Sequence, residues 1–399
     1  MTEHSKATLG IGMVGYSFMG TAHSHAWRNS ASFFDLPLSP RLSVIAGRNE
    51  AAARAAGDKF GWQQVETDWR ALLSRDDVDL VDVCTPGDTH AEIAIAALEA
   101  GKHVLCEKPL ANTVPEAESM ADAAAAARER GVRSMVGFTY RRVPAIVLAR
   151  TLVADGRIGD IRHVRAQYLQ DWLVDPAAPM SWRLDKQRAG SGALGDIGAH
   201  IVDLTQYITG ERITGVSAMM ETFVGRRPMP GDDGDVGTLG GHVTGDDVQM
   251  GDVTVDDTAV FLARFSRGAL ATFEATRYAT GRKNAIRIEI NGTNGSLAFD
   301  FEDMNVLNFY DGSEDSQTAG FRRILVTEPE HPFLAAWWPP GHLLGYEHGF
   351  THQAVDLVNA VADGRDPEPS FADGLRVQRV LAAVEQSAAK DSIWTAIPM

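Results

Sequence analysis

Short apolar runs that give way to longer alanine-rich stretches set the pattern of the first third of the chain. The run ending Ile11-Gly12-Met13-Val14 breaks at Gly15 and passes through Tyr16-Ser17-Phe18-Met19-Gly20 into a helical stretch, which predicts strand, tight turn and helix. Residues 42–46 and 79–84 read as further buried strands, each followed by an Ala-rich helical segment, and such alternation implies a parallel sheet. Residues 102–106 form another short strand, and a helix over 115–130 leads to a last one at 134–137.

Beyond residues 137–142 the pattern changes. Residues 164–169, 258–265, 269–275, 286–290 and 296–301 look like strands joined by short turns, among them Ser266-Arg267-Gly268 and 292–295. Close connections of this kind predict a largely antiparallel sheet with one open face. Residues 226–257 are rich in Gly and Asp with little apolar periodicity and predict a long solvated loop; their aspartates lack the spacing of an EF-hand. Two amphipathic helices follow, at 349–364 and 371–390. The expected class is α/β, with a parallel-sheet domain over 1–137 and an α+β domain over 138–399, the helix at 371–390 packing back towards the first.

Composition narrows the field. A chain of 399 residues can bury two cores, since single cores stop growing near about 250–300 residues. A net charge of −16 argues against nucleic acid or an anionic membrane as partner. The two cysteines, Cys84 and Cys106, end apolar runs without metal-ligand spacing, so reduced buried thiols in a cytoplasmic protein are expected. Residues 2–9 lack the apolar core of a signal peptide, and no run of about 18 apolar residues could span a membrane.

Candidate chemistry begins at the glycine turn. Glycines there let the backbone turn sharply and approach a pyrophosphate, whose charge sits on the free N–H groups of the helix N-terminus. Gly15, Ser17, Phe18, Met19 and Gly20 are therefore the first cofactor-binding candidates, with Ser17 where a second glycine is usual. At the end of the second strand stands Gly47-Arg48-Asn49. No carboxylate is there to repel a 2′-phosphate and Arg48 could pair with one, so the cofactor reading is NAD(P), with NADP favoured over NAD. An exposed arginine that is merely solvated is the competing view.

Asp196 and His200 stand four apart, so on one helix they share a face. Asp196 would lie in the first helical turn, where the dipole favours the carboxylate, and a carboxylate beside an imidazole makes His200 a better proton acceptor. A helix-capping Asp and a satisfied His are the alternative. His348 and His352 have a spacing that could hold a metal but lack a partner set, and His23 and His25 read as ordinary helix residues, so no metal is expected.

The chain resembles the Gfo/Idh/MocA family of NAD(P)-dependent oxidoreductases over essentially its whole length. Four motifs carry the resemblance: Gly15–Gly20, Thr85-Pro86-Gly87-Asp88-Thr89-His90, Glu107-Lys108-Pro109, and Gly195-Asp196-Ile197-Gly198-Ala199-His200. Within the family, Tyr168-Leu169-Gln170-Asp171-Trp172, Ser181-Trp182-Arg183 and the glycine run 190–196 look closest to the levoglucosan- and inositol-type sugar dehydrogenases.

The resemblance implies a Rossmann domain followed by an open-faced antiparallel sheet, a catalytic set of Lys108, Asp196 and His200, and a Lys108–Pro109 bond that is often cis. It further implies that Thr85, Pro86, His90 and Glu107 border the cofactor, while Gly87 departs from the asparagine common at its position. Lys108 would stabilise a developing alkoxide and help position the alcohol, His200 would take the hydroxyl proton, and the hydride would pass to the nicotinamide of a bound cofactor. Tyr140, Arg141, Asp171, Trp172, Trp182, Arg183, Tyr346 and His348 are substrate-binding candidates, because aromatics stack on sugar faces and forked donors bind hydroxyls; Trp172 and Trp182 as core is the rival view. A carbohydrate or cyclitol substrate and a homodimer or homotetramer are expected. A glycosidase that borrows bound NAD and a cofactor-sensing regulator are the alternatives.

Overall fold

The structure is a computed structural model, and it describes residues 6–230 and 248–398. The chain forms two compact units, one of residues up to 139 together with 345–376, the other of residues 140–344 and 377 onward.

The first unit is built on a parallel sheet. Its strands are β1 (Thr8–Val14), β2 (Ser39–Ala46), β3 (Gln64–Glu66), β4 (Leu80–Val83), β5 (His103–Cys106) and β6 (Ser134–Val136), in the order β3-β2-β1-β4-β5-β6. The crossovers carry α1 (Phe18–Phe33), α2 (Glu50–Phe60), a short α3 (Arg70–Leu73), α4 (His90–Glu99) and α5 (Val114–Arg128). β1 and β4 are buried almost throughout, which explains their largely apolar sequences, interrupted in β4 by the buried Asp82: strands covered on both faces have no solvent side to mark with alternating polar residues. Strand order reverses between β1 and β4, so the turns after these strands open at the topological switch point. The three-residue β3 has too few residues to show a period and was not anticipated.

The second unit opens with α6 (Pro144–Ala154) and β7 (Ile161–Leu169), then a short α7 (Lys186–Ala189) and α8 (Ala199–Thr209). Its sheet continues through β8 (Ile213–Glu221), β11 (Thr258–Phe265), β12 (Leu270–Thr276), β13 (Ala285–Gly292), β14 (Gly295–Asp300), β15 (Val306–Asp311) and β16 (Arg322–Leu325). A two-stranded ribbon of β9 (Arg226–Pro228) and β10 (Met250–Asp252) lies between β8 and β11 in sequence. With β17 (Thr395–Ala396) the large sheet has nine strands, in the order β16-β15-β14-β13-β7-β12-β11-β8-β17, antiparallel except for β7 with β12. Burial alternates strictly along β11, with Ala259, Phe261, Ala263 and Phe265 inside and Val260 and Leu262 outside. The α6 and α8 helices pack on the sheet at β15 and β7.

Two expectations change here. The span 226–257 is not uniformly a solvated loop: its described ends form the β9–β10 ribbon, and Asp256 and Asp257 are buried as acceptors of backbone N–H groups. The rest of that predicted loop, 231–247, lies outside the described residues. The stretch beyond 138 is also not one continuous unit. After β16 the chain enters α9 (Tyr346–Asp363), whose Phe350, Ala354, Val355, Leu357 and Val358 share a core with Leu9, Ile11, Met13 and Trp27. That apolar face assigns α9 to the first unit, and α10 (Phe371–Ala388) begins there and ends in the second.

Candidate active site

In the first unit the motif residues collect on the turns at the carboxyl ends of β1, β2, β4 and β5. Gly15 has φ +106, and a Cβ there would lie 2.7 Å from the Cys84 carbonyl oxygen, so only glycine makes the turn. A Cβ on Gly20 would lie 2.3 Å from the Gly15 oxygen, which holds α1 close against the turn. Ser17 is the N-cap of α1, yet no side chain caps the helix and its first turn holds no acidic residue. The first-turn amides therefore point into an exposed, uncapped position, and the turn fits a dinucleotide pyrophosphate. Phe18 is 48 % exposed and stacks on Tyr346, 6.4 Å between centroids. Met19 packs partly buried beside the core, Gly47 lies against the Tyr16 ring, and Arg48 is exposed.

Thr85 and Pro86 follow β4, where the Thr89 hydroxyl donates to Thr85 Oγ1 at 2.7 Å. A Cβ at Gly87 would lie 2.3 Å from Asn112 Oδ1, so the asparagine absent at 87 is matched by an amide arriving from 112, a residue the sequence reading missed. His90 is 1 % exposed and spends both ring nitrogens on backbone carbonyls, those of Pro109 and Thr85, each at 2.9 Å. It thereby braces the turns after β4 and β5. The Lys108–Pro109 peptide is cis.

Glu107, at the end of β5, is held in a buried hydrogen-bond network. It is 4 % exposed, with Oε1 3.0 Å from His23 Nε2 and Oε2 accepting the Lys108 backbone N–H at 3.1 Å. His23 Nδ1 lies 3.0 and 2.9 Å from the two oxygens of Asp82, which also accepts from Trp27 Nε1 at 2.7 Å. His23 is thus not an ordinary helix residue. Burial is the largest single effect and works against its charge, but the interactions with Asp82 and Cys84 together outweigh it and hold the imidazole pKa well above its usual value. The donor atoms of His23, Asp82 and Cys84 lie within 4.8 Å of one another, but the imidazole is already hydrogen-bonded to Asp82. Burial pushes both the Cys84 and Cys106 thiols up. A charged residue inside the apolar run Leu80-Val81-Asp82-Val83 was the available signal for this network.

Tyr346 and His348 belong to this unit too, at the start of α9. The His348 ring accepts the Gly345 N–H at 3.0 Å, and desolvation lowers its pKa.

In the second unit Asp196 lies in a π-helical turn, Leu194–Gly198, that runs straight into α8 at Ala199. The expected first α-helical turn is therefore a wider one, a form often found at functional sites. Asp256 builds it by accepting the N–H groups of Gly192 and Leu194 at 2.7 and 2.8 Å. Asp196 is one-quarter exposed, with Oδ2 3.6 Å from Nη1 of Arg277, a fully buried side chain. Gly192 makes room, since a Cβ there would lie 2.9 Å from Arg277 Nη2. Burial pulls the Arg183 guanidinium pKa down, against the Asp196 charge that raises it. Two cations thus flank Asp196, and Arg277, which nothing in the sequence pattern marks, is another residue that sequence reasoning missed.

His200 sits under aromatic rings, 4.6 Å from Tyr140 and 5.9 Å from Tyr168 between centroids. The Tyr140 and Tyr168 hydroxyls are 2.9 Å apart, and Tyr168 donates to Asn284 Oδ1, which also accepts from Gln170. Gln170 in turn accepts from Trp172 Nε1 at 2.9 Å. Trp172 packs partly on the Leu173, Leu184 and Val255 cluster and offers its ring to Arg277, while Arg183 stacks over Trp182 at 4.5 Å. Two substrate candidates are engaged by ion pairs within the unit. Arg141 is buried and ion-paired with Asp203 of α8, its Nε donating at 2.7 Å. Asp171 accepts from Lys283 Nζ at 2.7 Å and the Gly281 N–H at 2.9 Å, and the Lys283 hydrogen bond lowers its pKa.

A parallel six-stranded sheet with an uncapped glycine turn at its switch point defines a dinucleotide-binding domain, here joined to a domain of mostly antiparallel sheet. Sequence comparison matches residues 9–138 to the oxidoreductase family, NAD-binding Rossmann fold, and residues 146–298 to the GFO/IDH/MocA C-terminal domain. The chain belongs to the Gfo/Idh/MocA oxidoreductases. It is 42 % identical over 392 residues, 98 % of each chain, to a levoglucosan dehydrogenase of Pseudarthrobacter phenanthrenivorans. A crystal structure of an oxidoreductase domain protein from Kribbella flavida superposes with TM-score 0.93 at 70 % identity, covering 98 % of this chain and 100 % of that one. Levoglucosan dehydrogenase in complex with NADH and levoglucosan gives 0.90 at 40 % identity, covering 98 % and 99 %. Among the described residues no helix is long and apolar enough to cross a membrane.

Proposed function

We propose that the protein is an NAD(P)-dependent dehydrogenase that oxidises a secondary hydroxyl of a sugar, with an anhydrosugar of the levoglucosan type first among the candidates. The observation that carries this is the 42 % identity to a levoglucosan dehydrogenase over 98 % of both chains. When bound, NAD would supply the hydride acceptor. In this reading the Gly15–Gly20 turn and the α1 N-terminus bind the pyrophosphate, and Thr85, Asn112 and Tyr346 border the cofactor. His200 takes the hydroxyl proton while Asp196, flanked by Arg277 and Arg183, keeps local charge that favours the imidazolium. The Lys108 ammonium stabilises the developing alkoxide. Tyr140, Tyr168, Gln170, Trp172, Trp182 and Arg183 supply the stacking faces and donors that recognise a polyhydroxylated ring.

The exposed Arg48 after β2, flanked in sequence by Gly47 and Asn49, supports use of NADP as well as NAD. The buried thiols fit a reducing cytoplasm. Titrating NAD and NADP separately, then assaying levoglucosan, inositol and other polyols for stoichiometric growth of reduced-nicotinamide absorbance, tests the reading. Cleavage of an aryl glycoside with no net cofactor change would replace it with a hydrolase.

A further inference from the structure

Three ionisable side chains with almost no exposure form one chain of hydrogen bonds inside the first unit: Asp82 of β4, His23 of α1 and Glu107 at the end of β5, exposed 0, 2 and 4 %. We propose that His23 is a positioning residue for Lys108, acting through the Glu107 carboxylate; this rests on the catalytic role given to Lys108 above.

The geometry leaves each group one function. Asp82 takes Nδ1–H of His23 across both its oxygens, at 3.0 and 2.9 Å, while Trp27 Nε1–H at 2.7 Å fixes the carboxylate from a second direction. With Nδ1 committed, the ring can only present Nε2 to Glu107 Oε1, at 3.0 Å. Phe350 of α9 closes over the imidazole, 5.5 Å between centroids. Glu107 is confined from its other side as well, because a Cβ on Gly137 would lie 2.5 Å from Oε1. Its Oε2 then accepts the Lys108 N–H at 3.1 Å.

Both ring nitrogens face carboxylates, so the imidazole must donate twice, and it does so as the imidazolium that its raised pKa favours. One cation between two anions leaves a net negative buried cluster, tolerable because each oxygen has a donor. Removing the imidazole would leave the Glu107 carboxylate buried with one donor, free to rotate and to release the backbone of Lys108. A displacement of about 1 Å at a catalytic group costs on the order of 10²-fold in rate.

The test uses the full chain with NAD and levoglucosan. His23→Phe is expected to lower kcat on the order of 10²-fold with the NAD Kd changed less than about threefold, and to raise hydrogen–deuterium exchange over residues 103–112. Glu107→Ala should do the same, and Glu107→Gln, which can still accept the Lys108 N–H and donate to a neutral His23, should recover about tenfold of that loss. If His23→Phe does not fold, the two Glu107 variants decide alone. Wild-type kcat and exchange in folded His23→Phe, or equal activity of Glu107→Ala and Glu107→Gln, overturns the proposal. Should none of the sugars tested support NAD reduction by the wild type, the dehydrogenase reading fails, and the exchange over 103–112 still decides whether His23 holds that segment.

Discussion

Asp196 stands beside two cations. A fully buried Arg277 stands 3.6 Å away, Trp172 covers that guanidinium, and Arg183 adds a second cation. Taking Arg277 away leaves the carboxylate facing one half-buried cation and removes the side chain that fills the space beside Gly192. Arg277→Met is expected to lower kcat/KM on the order of 10- to 100-fold, about 1.4–2.7 kcal/mol of transition-state stabilisation, with Arg277→Lys intermediate. Steady-state kinetics check this, and an Arg277→Met enzyme with unchanged kcat/KM contradicts it. Lys108, Asp196 and His200 could be put forward as candidates from the sequence because their spacing and flanking residues are local. Arg277, Asn112 and the His23–Asp82 pair were not, since each gains its meaning from a partner more than twenty residues away. Arg141 misled for the same reason: a forked donor near the expected site is bound to Asp203 of α8.

Among the elements, the parallel sheet was the most readable. β1, β2, β4, β5 and β6 each carry a mainly apolar stretch followed by Gly, Thr-Pro or Lys-Pro, whereas β3 is too short to carry a period and the π-helical turn is set by Asp256 from a distant segment. The α1–β4–β5 network gives these elements a pH signature. His23 has a folded-state pKa well above 6.5, so its stabilisation is full below the unfolded value and is lost as pH rises towards the folded one. Across that interval unfolding free energy should fall by about 1.4 kcal/mol per pH unit for this one group. The thermal midpoint is therefore expected to decline from near-neutral pH into the mildly alkaline range, and in His23→Phe that decline should flatten. A wild-type midpoint that stays level or rises over this range contradicts the protonated bridge.

At the scale of the whole molecule, the second unit's sheet shows an apolar outer face. Met219, Val260, Leu262 and Leu270 are 70, 51, 56 and 51 % exposed on the adjoining strands β8, β11 and β12, with Met219 directly opposite Val260. The alternation that buries one face of β11 would ordinarily place polar residues on the other, so a second copy of the chain is the proposed cover. Sedimentation should give a dimer or tetramer, and Val260→Asp with Leu262→Asp should shift it towards monomer; a wild-type monomer at micromolar concentration contradicts this. The central claim is that this chain passes a hydride from a sugar hydroxyl to nicotinamide with Lys108 and His200 as the working groups. Its most direct measurement is reduced-nicotinamide formation from levoglucosan and NAD by the wild type, Lys108→Ala and His200→Ala. Stoichiometric product from the wild type and a kcat loss on the order of 10²-fold or more in each variant is the result expected; turnover by either variant equal to the wild type contradicts it.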